Sequence, residues 1–286
     1  MKKRAMTYRL AHQLVTTALI SSLAGIIFFA GSSRAEIPIY GYKITGKIPQ
    51  ARENFVQGLQ ILDGHLYMST GNYGQSKLRR YRLSDGALQS ERRVDNRLFA
   101  EGLTVLGERI YQLTWKSRLV LVYNKANLQG LEYFRIPGQG WGITTDGDKL
   151  IYSDGSHQLH YLSPETKRIT HSISVTENGR PLSQINELEW IDGQIWANIW
   201  QSNRIVMIDP KSGAVSAVIN LQGLLPIEER QPGTDVLNGI AWNPDDGSVW
   251  VTGKRWPWIY QIELIPPLDT KNPTEKHSEV TKHNSR

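Results

Sequence analysis

Five short segments of the 286-residue chain open on residues of different chemistry and agree two positions later: Gln57-Gly58-Leu59, Glu101-Gly102-Leu103, Trp141-Gly142-Ile143, Asn186-Glu187-Leu188 and Asn238-Gly239-Ile240. Agreement at the third position is what packing demands, and disagreement at the first is what a site grafted on a repeated scaffold looks like. Glu101 carries the most chemistry. A carboxylate among indoles and amides is costly unless it is paired or used, and desolvation raises its pKa toward the working pH of a general acid or base. Lys254 is its candidate partner, either as a second working group or as the other half of a structural salt bridge. Gln57, Asn186 and Asn238 would offer amides to a ligand, or else satisfy backbone groups of a neighbouring strand.

These segments start 44, 40, 45 and 52 residues apart, the length of a four-stranded propeller blade. Each continues as a short strand, a turn (Asp63-Gly64, Gly107-Glu108, Asp146-Gly147, Asp192-Gly193, Asp245-Asp246-Gly247) and a second strand rich in Tyr, Trp, Leu and Val. The pattern is all-β, and five copies give a five-bladed β-propeller, with an irregular sandwich as the alternative. Reflection through the turns pairs Gln57 with Gly71, Glu101 with Trp115, Trp141 with Asp154 or Gly155, Asn186 with Trp200, and Asn238 with Lys254, all at one mouth of a central channel. There Trp115, Trp141 and Trp200 either line a site or pack the blades. Ile37 to Ile44 alternates as expected of a strand that closes the ring.

Composition removes several classes of function. The chain has no cysteine, which excludes disulfides, thiolate zinc sites and Cys nucleophiles. His157 and His160, three apart on a strand, point to opposite faces and do not make a metal pair; Asp side chains and carbonyls near the channel leave a structural calcium open. Neither a phosphate-binding glycine loop nor a Ser–His–Asp arrangement is readable. The net charge of +6 is mostly that of the first 35 residues, whose five basic residues stand without one acid, so a nucleic-acid partner is not implied. Those residues read as a signal peptide: Lys2, Lys3, Arg4 and Arg9 precede an apolar run from Leu14 to Ala30 and the small-residue pattern Ser33-Arg34-Ala35. Cleavage after Ala35 would give an exported protein, periplasmic or secreted and without stable membrane association, whereas retention would give an anchor. The propeller domain is expected over 36–266. Residues 267–286, rich in Pro and alternating charge, are expected to be a disordered tail.

Specific motifs then resemble a known family. Phe55-Val56-Gln57-Gly58-Leu59, Tyr73-Gly74-Gln75-Ser76, Phe99-Ala100-Glu101-Gly102-Leu103-Thr104, Gln112-Leu113-Thr114-Trp115-Lys116, Gly140-Trp141-Gly142, Asn186-Glu187-Leu188-Glu189-Trp190, Leu237-Asn238-Gly239-Ile240-Ala241-Trp242 and Val251-Thr252-Gly253-Lys254 are similar, in order and spacing, to motifs of the plant and bacterial glutamine cyclotransferases. The resemblance runs from about residue 37 to 265. It implies closure of the N-terminal glutamine of peptides and proteins to pyroglutamate, with Glu101 as the acid/base, Lys254 and Asn186 as polar partners of the reacting amide, and Gln57, Trp115, Trp141 and Trp200 lining the substrate pocket. Asn238 completes the ring of substrate-binding candidates. The enzyme would act as a monomer and need no cofactor for catalysis. One departure stands out: Met68-Ser69-Thr70-Gly71 has Met68 where the family is expected to carry Glu, which puts a polar contact and substrate preference at stake. It motivates the alternative of an inactive propeller that binds peptides or glycans. A lactonase-like hydrolase is a further alternative, with Glu101 and Asp154 as its only candidate metal carboxylates.

Overall fold

Alternating β-branched and aromatic runs separated by turn residues become strands throughout, and the computed structural model describes residues 36–267. The expected signal peptide and nearly all of the expected tail lie outside the described residues. The first strand, β1 (Ile39–Pro49), is followed by β2 (Val56–Leu62), β3 (His65–Thr70), β4 (Lys77–Arg82) and β5 (Leu88–Arg93), which form one antiparallel sheet. A second contains β6 (Ala100–Leu106), β7 (Arg109–Thr114), β8 (Leu119–Asn124) and β9 (Gly130–Arg135). The third comprises β10 (Ile143–Thr145), β11 (Leu150–Ser153), β12 (Gln158–Ser163) and β13 (Arg168–Ser174), followed by the small pair β14 (Thr176–Glu177) and β15 (Arg180–Pro181). Then come β16 (Ile185–Ile191), β17 (Gln194–Ile199), β18 (Arg204–Ile208) and β19 (Val215–Asn220), and last β20 (Leu237–Trp242), β21 (Val249–Gly253) and β22 (Trp258–Ile265).

The first strand joins these last two groups. It pairs antiparallel with β22 from Gly41↔Ile265 to Pro49↔Trp258 and touches β19 in parallel at Ile39↔Val218 and Tyr40↔Ile219, so the two groups form one eight-stranded sheet. The closing strand therefore begins two residues later than its alternation suggests and runs on to Pro49. Its pairing covers the edge that β22 would otherwise expose.

The inner strands β2, β6, β10, β16 and β20 contact one another in a closed cycle. Four apolar clusters lie between neighbouring sheets, and a fifth lies between the two groups of the eight-stranded sheet; one, for example, joins Tyr67 and Leu78 to Leu103, Val105 and Ile110, and another joins Val56, Leu59 and Met68 to Ala241 and Ile259. The shared apolar position of the repeat is the core as expected: Leu59, Leu103, Ile143, Leu188 and Ile240 are all buried. The fold is all-β and propeller-like.

Two of the five turns are tight reversals with both central residues at positive φ, Asp63 (53°) with Gly64 (68°) and Asp192 (47°) with Gly193 (78°), the hand that matches strand twist. The register beyond the turns differs from simple reflection. In four inner hairpins the ladder shifts at the start of the repeat, between Val56 and Gly58, Ala100 and Leu103, Ile185 and Leu188, and Leu237 and Ile240. Past each shift, Gly71 N–H bonds to Phe55 O, Trp115 N–H to Phe99 O, Trp200 N–H to Gln184 O and Lys254 N–H to Val236 O. The expected pairs Gln57–Gly71, Glu101–Trp115, Asn186–Trp200 and Asn238–Lys254 are thus not directly opposite; each partner faces the residue two positions earlier. A bulge takes its residue out of the ladder and re-aims its side chain, which is what frees Gln57, Glu101, Asn186 and Asn238 from alternation.

Candidate active site

The bulged strand starts and the ends of the following strands surround a cavity of about 400 Å³. Gln57, Glu101, Trp115, Trp141, Asn186, Trp200 and Lys254 all line it. Seven of the eight residues singled out from the sequence thus meet at one mouth, despite the altered register. Asn238 does not line it. That residue is fully buried and donates to Val56 O at 3.1 Å and to Gln57 Oε1 at 3.4 Å, so it stands behind Gln57 and orients its amide.

Aromatic rings make the walls. On one side Phe55, Phe99 and Trp115 meet edge to face, at 6.2 and 5.7 Å between centroids, and Tyr73 caps Phe99 at 5.5 Å. On the other, Trp141 and Trp200 meet at 5.6 Å and 84°. The Trp141 Nε1–H is buried with no hydrogen-bond partner among the described residues, a donor left for something else. Of nine tryptophans in the chain, these three face the cavity, and Trp196 and Trp256 show the packing role instead, in the core.

Glu101 and Lys254 are 6% and 5% exposed. Burial drives the Glu101 carboxyl well above the usual carboxylate range, and the charge of Lys254 draws it partly back. The same burial lowers the Lys254 ammonium, with Glu101 and then Asp235 opposing. No hydrogen bond from the described residues contributes to either shift. The salt-bridge reading fails on distance: no contact of 4.0 Å or less joins the two groups. Lys254 Nζ instead stands 4.9 Å from the centre of the Phe55 ring. The Glu101 carboxyl and the Lys254 amine therefore face one cavity, and neither makes a side-chain hydrogen bond to another of the described residues. The Asn186 carbonyl is engaged, accepting from Ser153 Oγ at 2.7 Å, while its side chain faces the cavity.

Met68 lies away from this cavity. It is 1% exposed in the cluster with Leu59, Ile61, Leu66 and Ala241, so the missing carboxylate removes no wall of the site. The inactive-binder reading loses its motive. Asp154 is held by His160 at 3.3 Å and does not line this cavity, and among the described residues no group of three or more His, Asp or Glu side chains is arranged to hold a metal.

Sequence reasoning overlooked Phe55, Phe99, Gln201, Asp235 and Val236 as cavity residues. Phe55 and Phe99 occupy equivalent places, two before Gln57 and Glu101, so their signal lay in the repeat itself. Glu187 and Glu189, both buried, stand out in the sequence only as parts of the Asn186–Trp190 motif.

Comparison with known proteins agrees with this geometry. The family model described as glutamine cyclotransferase matches residues 16–264. A glutaminyl-peptide cyclotransferase of Arabidopsis thaliana is 40% identical over 228 residues, covering 78% of this chain and 71% of that protein. The crystal structure of Myxococcus xanthus glutaminyl cyclase superposes with a TM-score of 0.75 at 35% identity, covering 81% of this chain and 99% of that one. With the family model spanning every strand that contributes to the cavity and relatives matched to this extent, the chain belongs to the glutamine cyclotransferase family.

Proposed function

We propose that the protein closes the N-terminal glutamine of peptides and proteins to pyroglutamate and releases ammonia, an aminoacyl transfer within one residue. The observation that carries this reading is the unpartnered Glu101 carboxyl and Lys254 ammonium in one aromatic cavity, in a chain of this family. The free α-amine attacks the side-chain amide carbon; the new N–C bond forms, the C–NH₂ bond breaks, and the amine proton ends on the departing nitrogen. Attack is intramolecular, so the site must supply a folded substrate, proton transfer and charge stabilisation.

Glu101 takes the proton from the attacking amine and returns it to the leaving nitrogen. Its raised pKa suits both halves of that task. Lys254 and Asn186 donate to the oxygen as it gains charge. Trp115, Trp141 and Trp200 hold the glutamine methylenes and exclude competing water, and the Gln57 amide reads a polar group of the substrate. The chemistry requires neither a metal nor an organic cofactor. Five blades are our count of the fold, supported by three four-stranded sheets and by division of the eight-stranded sheet between β19 and β1. We further place the mature protein outside the cytoplasm as a monomer, after cleavage at Ala35, with residues 267–286 as a tail.

Incubation of the purified protein with a peptide bearing N-terminal glutamine tests the reading. Ammonia release and a mass loss equal to one ammonia are expected, with activity unaffected by chelator. A folded protein that leaves the peptide unchanged, or loses activity on chelation, would contradict it.

A further inference from the structure

The repeat has one exception at the position after each strand start. Gly58, Gly102, Gly142 and Gly239 occupy it in four copies and Glu187 in the fifth. The glycines have a steric reason: a Cβ on Gly102 would lie 2.8 Å from the Gly142 Cα, and one on Gly142 would lie 2.0 Å from Asn186 O, so consecutive inner strands touch backbone to backbone there. Glu187 instead sends a carboxylate across the axis. Oε1 accepts the Leu59 N–H at 3.2 Å and Oε2 accepts the Ile240 N–H at 2.9 Å.

Those two N–H groups follow the bulges that aim Gln57 and Asn238, and Glu187 is itself next to Asn186. One fully buried carboxylate on β16 thus fixes β2 and β20, holding three of the amide-bearing strand starts in one frame. We infer that Glu187 is a positioning residue for the reaction, a strut that sets Gln57 and Asn186 relative to one another from opposite sides of the cavity. This rests on the cyclotransferase reading above. Burying a carboxylate for packing alone is unfavourable, and burial together with the neighbouring Glu189 pushes Glu187 well above the usual range. Both oxygens are nevertheless engaged, one by β2 and one by β20, where Asn198 Oδ1 on β17 accepts the neighbouring Gly239 N–H at 2.9 Å.

Glu189 provides a matched control. It lies two residues along the same strand, is equally enclosed, and accepts the Trp242 N–H at 3.0 Å, beyond the bulge. Steady-state ammonia release should be measured for wild type, Glu187→Gln and Glu189→Gln, at a temperature where each is folded. In Glu187→Gln the amide nitrogen faces one N–H and that contact is lost, so kcat should fall by roughly 10–10²-fold, the scale of a misplacement near 1 Å. The change should exceed any change in KM, and Glu189→Gln should stay within about threefold of wild type. Equal kcat in the two variants, or losses that only follow their melting temperatures, would overturn the inference.

Should Glu187→Gln fail to fold, the wild-type protein decides. Saturation with a pyroglutamyl peptide should shift the amide resonances of both Leu59 and Ile240, and a shift at neither would overturn the strut. Absence of ammonia release by wild type would instead sink the functional reading, which keeps the two failures distinct.

Discussion

Lys254 Nζ lies 4.9 Å from the centre of the Phe55 ring, held by the face of an aromatic rather than by the Glu101 carboxyl. The ring quadrupole favours the charged amine where burial disfavours it, an effect of about 0.5–2 kcal/mol. Phe55→Leu keeps an apolar wall and removes that attraction. The alkaline limb of the kcat profile should then move to lower pH by about half a unit to one unit, as a pH titration of initial rates would show.

The same limb identifies Lys254 directly. Its ammonium is lowered from the ordinary lysine value of 10.5, so activity that needs the charge should decline with rising pH before an exposed lysine would titrate. Lys254→Arg keeps a charge that does not titrate in this range and should abolish the limb, at some loss of rate from altered geometry. Lys254→Ala should lower kcat by roughly 10²–10³-fold, the scale of a lost oxyanion donor. An unchanged alkaline limb in Lys254→Arg would assign that titration elsewhere.

Asn238 acts through Gln57. Asn238→Ala leaves the Gln57 Oε1 without its donor and Val56 O without one of its contacts, at a cost of about 1–3 kcal/mol in stability. The glutamine amide is then free to rotate, so KM for a Gln-peptide should rise several-fold while kcat changes less. Denaturant melts and steady-state kinetics on the same preparation separate the two effects.

Glu189 makes stability depend on pH in an unusual direction. Burial raises its carboxyl from 4.5 to about 8, against the pull of the Trp242 and Trp190 N–H groups and Thr144. The folded state therefore binds this proton more tightly than the unfolded chain, and its contribution to stability declines as pH rises from about 4.5 to about 8. Glu189→Gln mimics the protonated form. Its melting temperature relative to wild type should increase across that interval, and a difference that shrinks with pH would contradict the assignment.

Much of this site was readable because a repeat exposes its own exceptions. Leu59, Leu103, Ile143, Leu188 and Ile240 marked the inner strands, and once those were aligned Glu101 and Lys254 fell at the same end. Register is not readable: a bulge adds one residue that hydrophobic alternation tolerates, so reflection through the turn pairs Trp115 with Glu101 although it faces Phe99. Asn238 looked equivalent to Asn186, and only its burial behind Gln57 separates support from contact. Met68 could be noticed as a departure, but its remoteness from the cavity depends on how strands β2 and β3 pack. Glu187 was visible as the one non-glycine at its position, yet nothing in the sequence tells how far its carboxylate reaches.

The most direct measurement compares Glu101→Gln with wild type for both turnover of a Gln-peptide and binding of its pyroglutamyl product. Removing the proton carrier while keeping the shape should lower kcat by roughly 10²–10⁴-fold and change the dissociation constant of the product only a few-fold. Wild-type turnover in a correctly folded Glu101→Gln protein would contradict the assignment of Glu101 as the acid/base.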